Sequence, residues 1–121
     1  MDIVRDDYDR HAFIRLMRGC TADFEWRMHA YCLMTNHFHF VVEAVTTQLS
    51  AGMQVLNWSL ARRFNERYDR VGHLFESRFR TRLVGSDLYL QNACEYVWNN
   101  PVAVGLVARP DDWPWSGGLY A

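Results

Sequence analysis

Two alternating segments on either side of Thr35 and Asn36 constrain the fold of this chain more than any other feature. In residues 24–34 apolar or small side chains occupy every second position, and the more apolar segment HFHFVVEAV follows over residues 37–45. A period of two is typical of a β-strand, and a two-residue connection favours an antiparallel hairpin. We therefore predict strands over 24–34 and 37–45. The residues expected on one face of the first strand are Phe24, Trp26, Met28, Ala30 and Cys32.

Helical periodicity predicts two helices outside this hairpin. The first covers residues 8–19 and is expected to end at Gly19, because glycine often follows the last helical turn. The second covers residues 48–68, where apolar side chains recur at spacings of three and four. This spacing predicts an amphipathic helix of about five to six turns. Its apolar positions are Leu49, Met53, Leu56, Leu60, Phe64 and Tyr68.

The C-terminal part predicts one more strand and one more helix. Residues 74–84 alternate in the manner of a strand, and Ser86 suits the N-cap of a helix. This helix is expected to end at Asn99 or Asn100, because Pro101 disfavours helical geometry in the residue before it. The order helix, strand, strand, helix, strand, helix predicts an α+β sandwich with an antiparallel sheet.

Length and composition indicate a single domain over residues 1–121. Half of the residues are hydrophobic, enough to bury a core, and no apolar run is long enough to cross a membrane. The charged N-terminus lacks the apolar segment of a secretory signal. The three cysteines lack metal-type spacing, which favours free thiols in a reducing compartment such as the cytoplasm. We expect the aromatic tail WPWSGGLY to pack back onto the domain.

The arginines are concentrated in one segment. The net charge of −1 argues by itself against a general nucleic-acid binder. Residues 62–82 nevertheless contain seven arginines and three acids, a local charge of about +4, which suits binding a polyanion at one place. The same pattern fits a solvated helix face followed by an ordinary strand equally well.

A pair of histidines on the second predicted strand is the first candidate for chemistry. His37 and His39 are separated by one residue, so a strand sends both side chains to the same face, with Cβ atoms roughly 6.5–7 Å apart. Two imidazoles at that separation can converge on one cation. Taken alone, the pair is more typical of exposed histidines on a sheet.

A tyrosine and an asparagine on the last predicted helix are the second candidate. Tyr96 and Asn100 are four residues apart and share one face if the helix persists that far. A phenol that attacks phosphorus, with a cation held by the asparagine oxygen and both histidines, makes a nuclease. The alternative is that Tyr96 is a core aromatic residue and Asn100 a helix C-cap.

Four segments resemble one protein family. MTNHFHFVVE resembles the MPNHxHxxxE signature of the single-tyrosine HUH transposases, particularly the REP-associated tyrosine transposases, with Thr35 in place of the usual proline. FNERYDRVGHLFESRFRTRLV, EYVWNNPVAVGLV and DDWPWSG resemble three further blocks of that group in the same order. Together the matches cover about residues 30–121 and are jointly specific.

The resemblance implies a fold and a reaction. The fold would be ferredoxin-like, with the helices on one face of the sheet and the histidine pair on the other. His37, His39 and Asn100 would bind Mg²⁺ or Mn²⁺, and Tyr96 would cut single-stranded or hairpin DNA through a 5′-phosphotyrosine. The enzyme would be a transposase or a domesticated endonuclease. The arginines expected to hold the DNA are Arg62, Arg63, Arg78, Arg80 and Arg82.

One departure from the family affects the expected assembly. The family begins with a strand in a YHVxxRG segment that nothing in this chain matches. That strand lies between 37–45 and 74–84 in the ferredoxin-like sheet, so its absence would leave an open edge beside 37–45. The 74–84 strand could close up against 37–45, or a second copy of the chain could cover the edge. We favour the second outcome and expect a homodimer. Two other activities remain open: a hairpin-binding module that does not cut, and a hydrolase in which the histidine pair activates water.

Overall fold

The computed structural model of the chain describes residues 3–69 and 87–118. The predicted strand 74–84, with Arg78, Arg80 and Arg82, lies outside the described residues, as does Ser86. None of the helices in the described parts is long and apolar enough to cross a membrane.

The described residues form three α-helices and a three-stranded antiparallel sheet, which confirms the predicted α+β class. The elements follow the chain in this order: α1 (Asp7–Asp23), β1 (Arg27–Leu33), β2 (Phe38–Glu43), α2 (Thr46–Tyr68), α3 (Asp87–Ala103), a short 3₁₀ turn (Pro110–Asp112) and β3 (Ser116–Gly117). The strand order in the sheet is β2-β1-β3. The described residues divide into two compact units: residues 3–26 with 44–69, and residues 27–43 with 87–118.

In the first unit, α1 and α2 pack against each other through apolar faces. The spacing of three and four predicted for α2 is confirmed, because Met53, Leu56, Leu60 and Phe64 are buried. The buried apolar side chains of α1 are Ala12, Phe13, Met17 and Cys20.

The prediction that α1 ends at Gly19 is wrong. The helix continues to Asp23, and the backbone leaves helical geometry at Glu25, whose φ is 55°. Gly19 is exposed, and an added Cβ there would meet no atom within 4 Å, so this glycine serves neither a turn nor a close approach. At the other end, the Asp6 carboxylate accepts a hydrogen bond from the Asp9 amide at 2.9 Å and caps the helix.

A buried carboxylate joins α1 to α2. The Asp9 side chain is only 1% exposed, and it accepts hydrogen bonds from Arg63 at 2.9 Å, from Arg67 at 2.6 Å and from the Tyr68 hydroxyl. The Arg5 backbone amide donates to the same carboxylate at 2.8 Å. Burial alone would raise the pKa of Asp9, but these hydrogen bonds outweigh it and hold that pKa far below its usual range.

In the second unit, β1 and β2 form the predicted antiparallel hairpin around Thr35 and Asn36. The prediction that 24–34 is one continuous alternating strand is wrong, because the register shifts at a β-bulge between Met28 and Ala30. Met28 lies opposite Val42 and Ala30 opposite Val41, so these two β1 residues face opposite sides of the sheet.

Phe24 and Trp26 precede the strand and belong to the first unit. There the Trp26 indole N–H donates to the Gln48 carbonyl at 3.0 Å.

The C-terminal tail packs back onto β1, as expected, and supplies a strand that the periodicity did not indicate. Cys32 lies opposite Ser116, and the Leu33 amide donates to the Trp115 carbonyl at 2.8 Å. The Trp113 indole N–H donates to the Leu33 carbonyl at 3.1 Å, which fixes the start of the tail beside the end of β1.

Helix α3 packs on one face of the hairpin through small apolar side chains. Two of them, Cys94 and Val97, come from the helix. The buried hairpin residues of the same cluster are Ala30, Cys32, Met34 and Val41. The helix therefore covers the face to which the odd-numbered residues of β2 belong.

The prediction that α3 ends before Pro101 is wrong. The helix runs to Ala103 with Pro101 inside it. It ends in a Schellman motif, in which Gly105 adopts a φ of 82°. The Gly105 amide donates to the Val102 carbonyl, and the Leu106 amide donates to the Pro101 carbonyl at 2.9 Å. Pro101 lacks the N–H that would donate to the Val97 carbonyl, and its ring crowds that carbonyl; its side chain is fully buried, so tertiary packing offsets this cost.

We predict that Asp9→Asn destabilises the protein at neutral pH by about 3 kcal/mol, because it leaves two arginines facing a neutral amide in a buried position. The lowered pKa of Asp9 means that the carboxylate stabilises the fold above its unfolded pKa of about 3.9, and that this stabilisation is lost as the pH falls further. Urea unfolding between about pH 7 and pH 2.5 should therefore show a steeper acid decline for the native chain than for Asp9→Asn.

Asp7→Asn is the matched control, because Asp7 is on the same helix but its side chain is 74% exposed and pairs with Arg10 in the same turn. Its expected cost is under about 1 kcal/mol. Equal losses in the two variants would contradict a stabilising role for the buried cluster.

Candidate active site

The hairpin places His37 immediately before β2 and His39 within it. His39 lies opposite Cys32 in the register, and the backbone carbonyl of His37 accepts a hydrogen bond from the Met34 amide at 2.9 Å. His37 is exposed and His39 is half-buried. Since Cys32 and Val41 face α3, His39 lies on the helix-covered face. The expectation that the histidines occupy the face opposite the helices is therefore wrong for α3.

The two imidazoles are close enough to share a ligand. Their ring centroids are 4.9 Å apart and their planes are nearly perpendicular, at 86°. A cation held by two imidazoles lies about 2.1 Å from each nitrogen, so centroids about 5 Å apart fit two rings that meet at one ion.

The environment of His39 favours a neutral ring. Burial lowers the pKa of His39, and the charge of the neighbouring His37 lowers it further. An imidazole binds a metal through an unprotonated nitrogen, so a lowered pKa keeps His39 in its ligating form at neutral pH.

Cys32 lies opposite His39, but burial raises the pKa of its thiol to about 11. The thiol therefore stays protonated at neutral pH, whereas a metal binds the thiolate.

Tyr96 lies beside the pair on α3. Its ring centroid is 6.1 Å from that of His39, and the two rings meet edge to face at 87°. Cys94 and Val97, on either side of it in sequence, are buried against the sheet, whereas Tyr96 is 66% exposed. The packing therefore fixes the helix and leaves the phenol at the surface next to the histidines. Tyr96 is not a core aromatic residue.

Asn100 shares the helix face of Tyr96, because α3 continues past Pro101. It is half-buried, and its backbone carbonyl accepts from the Val104 amide at 3.2 Å. The helix does not end at this residue, so Asn100 is not its C-cap. Within residues 3–69 and 87–118, no group of three His, Cys, Asp or Glu side chains is placed to hold a metal ion. A third protein ligand from these segments would have to be another residue type, such as the amide of Asn100.

The two described arginines of the DNA prediction differ in what they contact. Arg62 is 61% exposed, pairs with Glu66 at 3.0 Å and lies over the exposed Trp58 ring at 5.2 Å. Arg63 is bound to the buried Asp9 at 2.9 Å. Neither contact tests the DNA prediction, but Arg62 presents its guanidinium to solvent and Arg63 is already paired.

Sequence reasoning missed Asn36. Its side-chain oxygen lies 2.6 Å from Nδ1 of His37, a contact between neighbours in the turn. The available signal was its position immediately before the first histidine, in the two-residue connection between the strands. Asparagine is common in turns, and that property alone explained its presence there.

Comparison with known families identifies one match. Residues 2–100 match the model of a family described as Transposase IS200 like. No curated protein and no solved structure matches the chain. The matched segment includes His37, His39, Tyr96 and Asn100, and it covers well over half of the 121 residues. The chain therefore belongs to the IS200-like transposases, within the single-tyrosine HUH transposase superfamily.

Proposed function

We propose that the protein cleaves and rejoins single-stranded DNA with Tyr96 as the nucleophile. The observation that carries this proposal is the position of Tyr96, an exposed phenol whose ring is 6.1 Å from His39 on the face shared with the histidine pair. Membership of a transposase family supports DNA cleavage in general. The position of Tyr96 supports the tyrosine mechanism that we propose.

The proposed reaction is a transesterification. The Tyr96 oxygen forms a bond to phosphorus as the bond from phosphorus to the 3′-oxygen breaks, and the phenol proton leaves to solvent. The 3′-oxygen takes up a proton and becomes a free hydroxyl, while the 5′ end stays on the enzyme as a phosphotyrosine. One phosphodiester replaces another, so no ATP is required, and the reverse reaction rejoins the DNA.

We propose that His37, His39 and Asn100 hold a divalent cation. The perpendicular rings, the 4.9 Å spacing and the lowered pKa of His39 fit such a ligand pair. When bound, the cation polarises a phosphate oxygen of the scissile group. Both Mg²⁺ and Mn²⁺ suit the reaction, and two imidazole ligands favour Mn²⁺ in vitro.

The proposed substrate is single-stranded or hairpin DNA, as in the REP-associated branch that the sequence blocks resemble. Arg62 has the exposure that a phosphate contact needs, and its neighbour Trp58, at 61% exposed, offers a surface for base stacking. Arg63, Arg78, Arg80 and Arg82 remain predicted DNA contacts, the last three outside the described residues.

We also propose a homodimer in the cytoplasm. In the described part of the sheet β2 pairs with β1, and no strand is described on its other side. A second chain would cover such an edge. Light scattering at micromolar concentration measures the assembly directly, and a monomer would contradict this proposal.

We predict that Tyr96→Phe abolishes cleavage of hairpin oligonucleotides in Mn²⁺ while binding to them persists, because only the attacking oxygen is removed. The loss should reach several orders of magnitude, since a covalent nucleophile is eliminated. Denaturing electrophoresis would show the native chain covalently joined to the 5′-labelled fragment and the variant without this adduct.

Tyr89→Phe is the matched control, because Tyr89 lies two turns earlier on the same helix and is 68% exposed, compared with 66% for Tyr96. It should cleave as the native chain does. Cleavage by Tyr96→Phe within about tenfold of the native rate would disprove the nucleophile assignment. Binding without cleavage by the native chain would instead indicate a hairpin-binding module, and cleavage without an adduct a hydrolase.

We predict that His37→Ala and His39→Ala each weaken Mn²⁺ binding by more than about tenfold, because each removes one ligand from a shared ion. Calorimetric titration of the folded variants measures this loss without DNA. His11→Ala, an exposed histidine on α1, is the control and should bind as the native chain does. Unchanged affinity in both site variants would leave the pair as surface histidines.

A further inference from the structure

Asn36 contacts the first histidine of the pair in a way that constrains its protonation. The side-chain oxygen of Asn36 lies 2.6 Å from Nδ1 of His37, within hydrogen-bonding distance. An amide oxygen can only accept, so the contact requires that the proton of a neutral ring be on Nδ1. Nε2 then carries the lone pair. That nitrogen is the one left to bind a cation.

The contact matters because nothing else described in the hairpin would select this form of an exposed ring. The backbone of His37 is fixed by the hydrogen bond from the Met34 amide at 2.9 Å, but its side chain is exposed. A free imidazole exchanges its proton between two nitrogens and rotates about its side-chain bonds. Fixing one tautomer and one orientation before the ligand arrives removes both sources of disorder.

We propose that Asn36 is a positioning residue that holds His37 as its Nδ1–H tautomer, so that Nε2 is free to bind a cation together with His39. This inference rests on the proposed metal site. It adds a specific function for the residue that precedes the first histidine, and it makes a claim about the metal-free protein that can be measured separately.

The test compares Asn36→Ala, which removes the acceptor, with Asn36→Asp, which keeps an acceptor at the same distance along the side chain. Thr35→Ala, in the same two-residue connection, is the matched control. Nitrogen NMR of the imidazoles in metal-free protein at about pH 8, where an ordinary histidine is neutral, reports the tautomer of His37. We expect Nδ1–H in the native chain, in Asn36→Asp and in Thr35→Ala, and a mixture or the opposite tautomer in Asn36→Ala.

Calorimetric titration with Mn²⁺ is the second measurement. We expect Asn36→Ala to bind about 10–100-fold more weakly than the native chain and Asn36→Asp to restore the affinity, while thermal unfolding shows all variants folded. A native His37 with its proton on Nε2, or an Asn36→Ala variant with unchanged tautomer, would overturn the inference. Because NMR measures the tautomer of His37 in metal-free protein, it tests the role of Asn36 even if the native chain binds no Mn²⁺. That last outcome would count against the proposed function instead.

Discussion

The candidate site depends on the packing of α3 against the β1–β2 hairpin. The helix contributes Cys94 and Val97, and the strands contribute side chains as small as Ala30 and Cys32, all buried in one cluster. Small side chains at such a contact allow a helix to approach a sheet closely, and burying their apolar surface stabilises the contact by about 25 cal/mol per Å². The burial of Cys94 and Val97 fixes the direction in which the Tyr96 side chain leaves the helix. Tyr96 emerges beside His39 because the core residues around it fix the rotation of the helix.

The continuation of α3 past Pro101 then determines what else shares that face. A helix that stopped at residue 99 would leave Asn100 in an irregular segment with no defined relation to Tyr96. The helix instead ends at the Schellman motif around Gly105, where a φ of 82° suits glycine. Proline disfavoured the helix locally, but the burial of Pro101 and the hydrogen bonds of the Schellman motif stabilise the helix beyond it. The glycine four residues later was the stronger indicator of where the helix stops.

The sequence predicted the elements whose signals are local, and it failed where a contact distant in sequence decides the outcome. The hairpin and the buried face of α2 follow from periods of two and of three to four, and both are confirmed. The bulge between Met28 and Ala30 and the pairing of β1 with Ser116 and Gly117 depend on tertiary contacts that leave no periodicity. The proximity of His39 to Tyr96 could be predicted only from the family resemblance, because the two residues are 57 positions apart in the chain.

The arginines of residues 62–82 also have contacts distant in sequence that local patterns could not predict. Counting arginines between residues 62 and 82 treats each as available to DNA, yet Arg63 and Arg67 are both bound to the buried carboxylate of Asp9, and Arg67 also pairs with Asp6 at 2.8 Å. Their partners lie more than 50 residues earlier in the chain, beyond any local window. A guanidinium that neutralises a buried acid contributes to folding, and moving it to a phosphate would leave that acid unpaired. Part of the positive charge of this segment therefore holds α1 to α2, and the charge free to attract DNA is smaller than the sequence alone suggests.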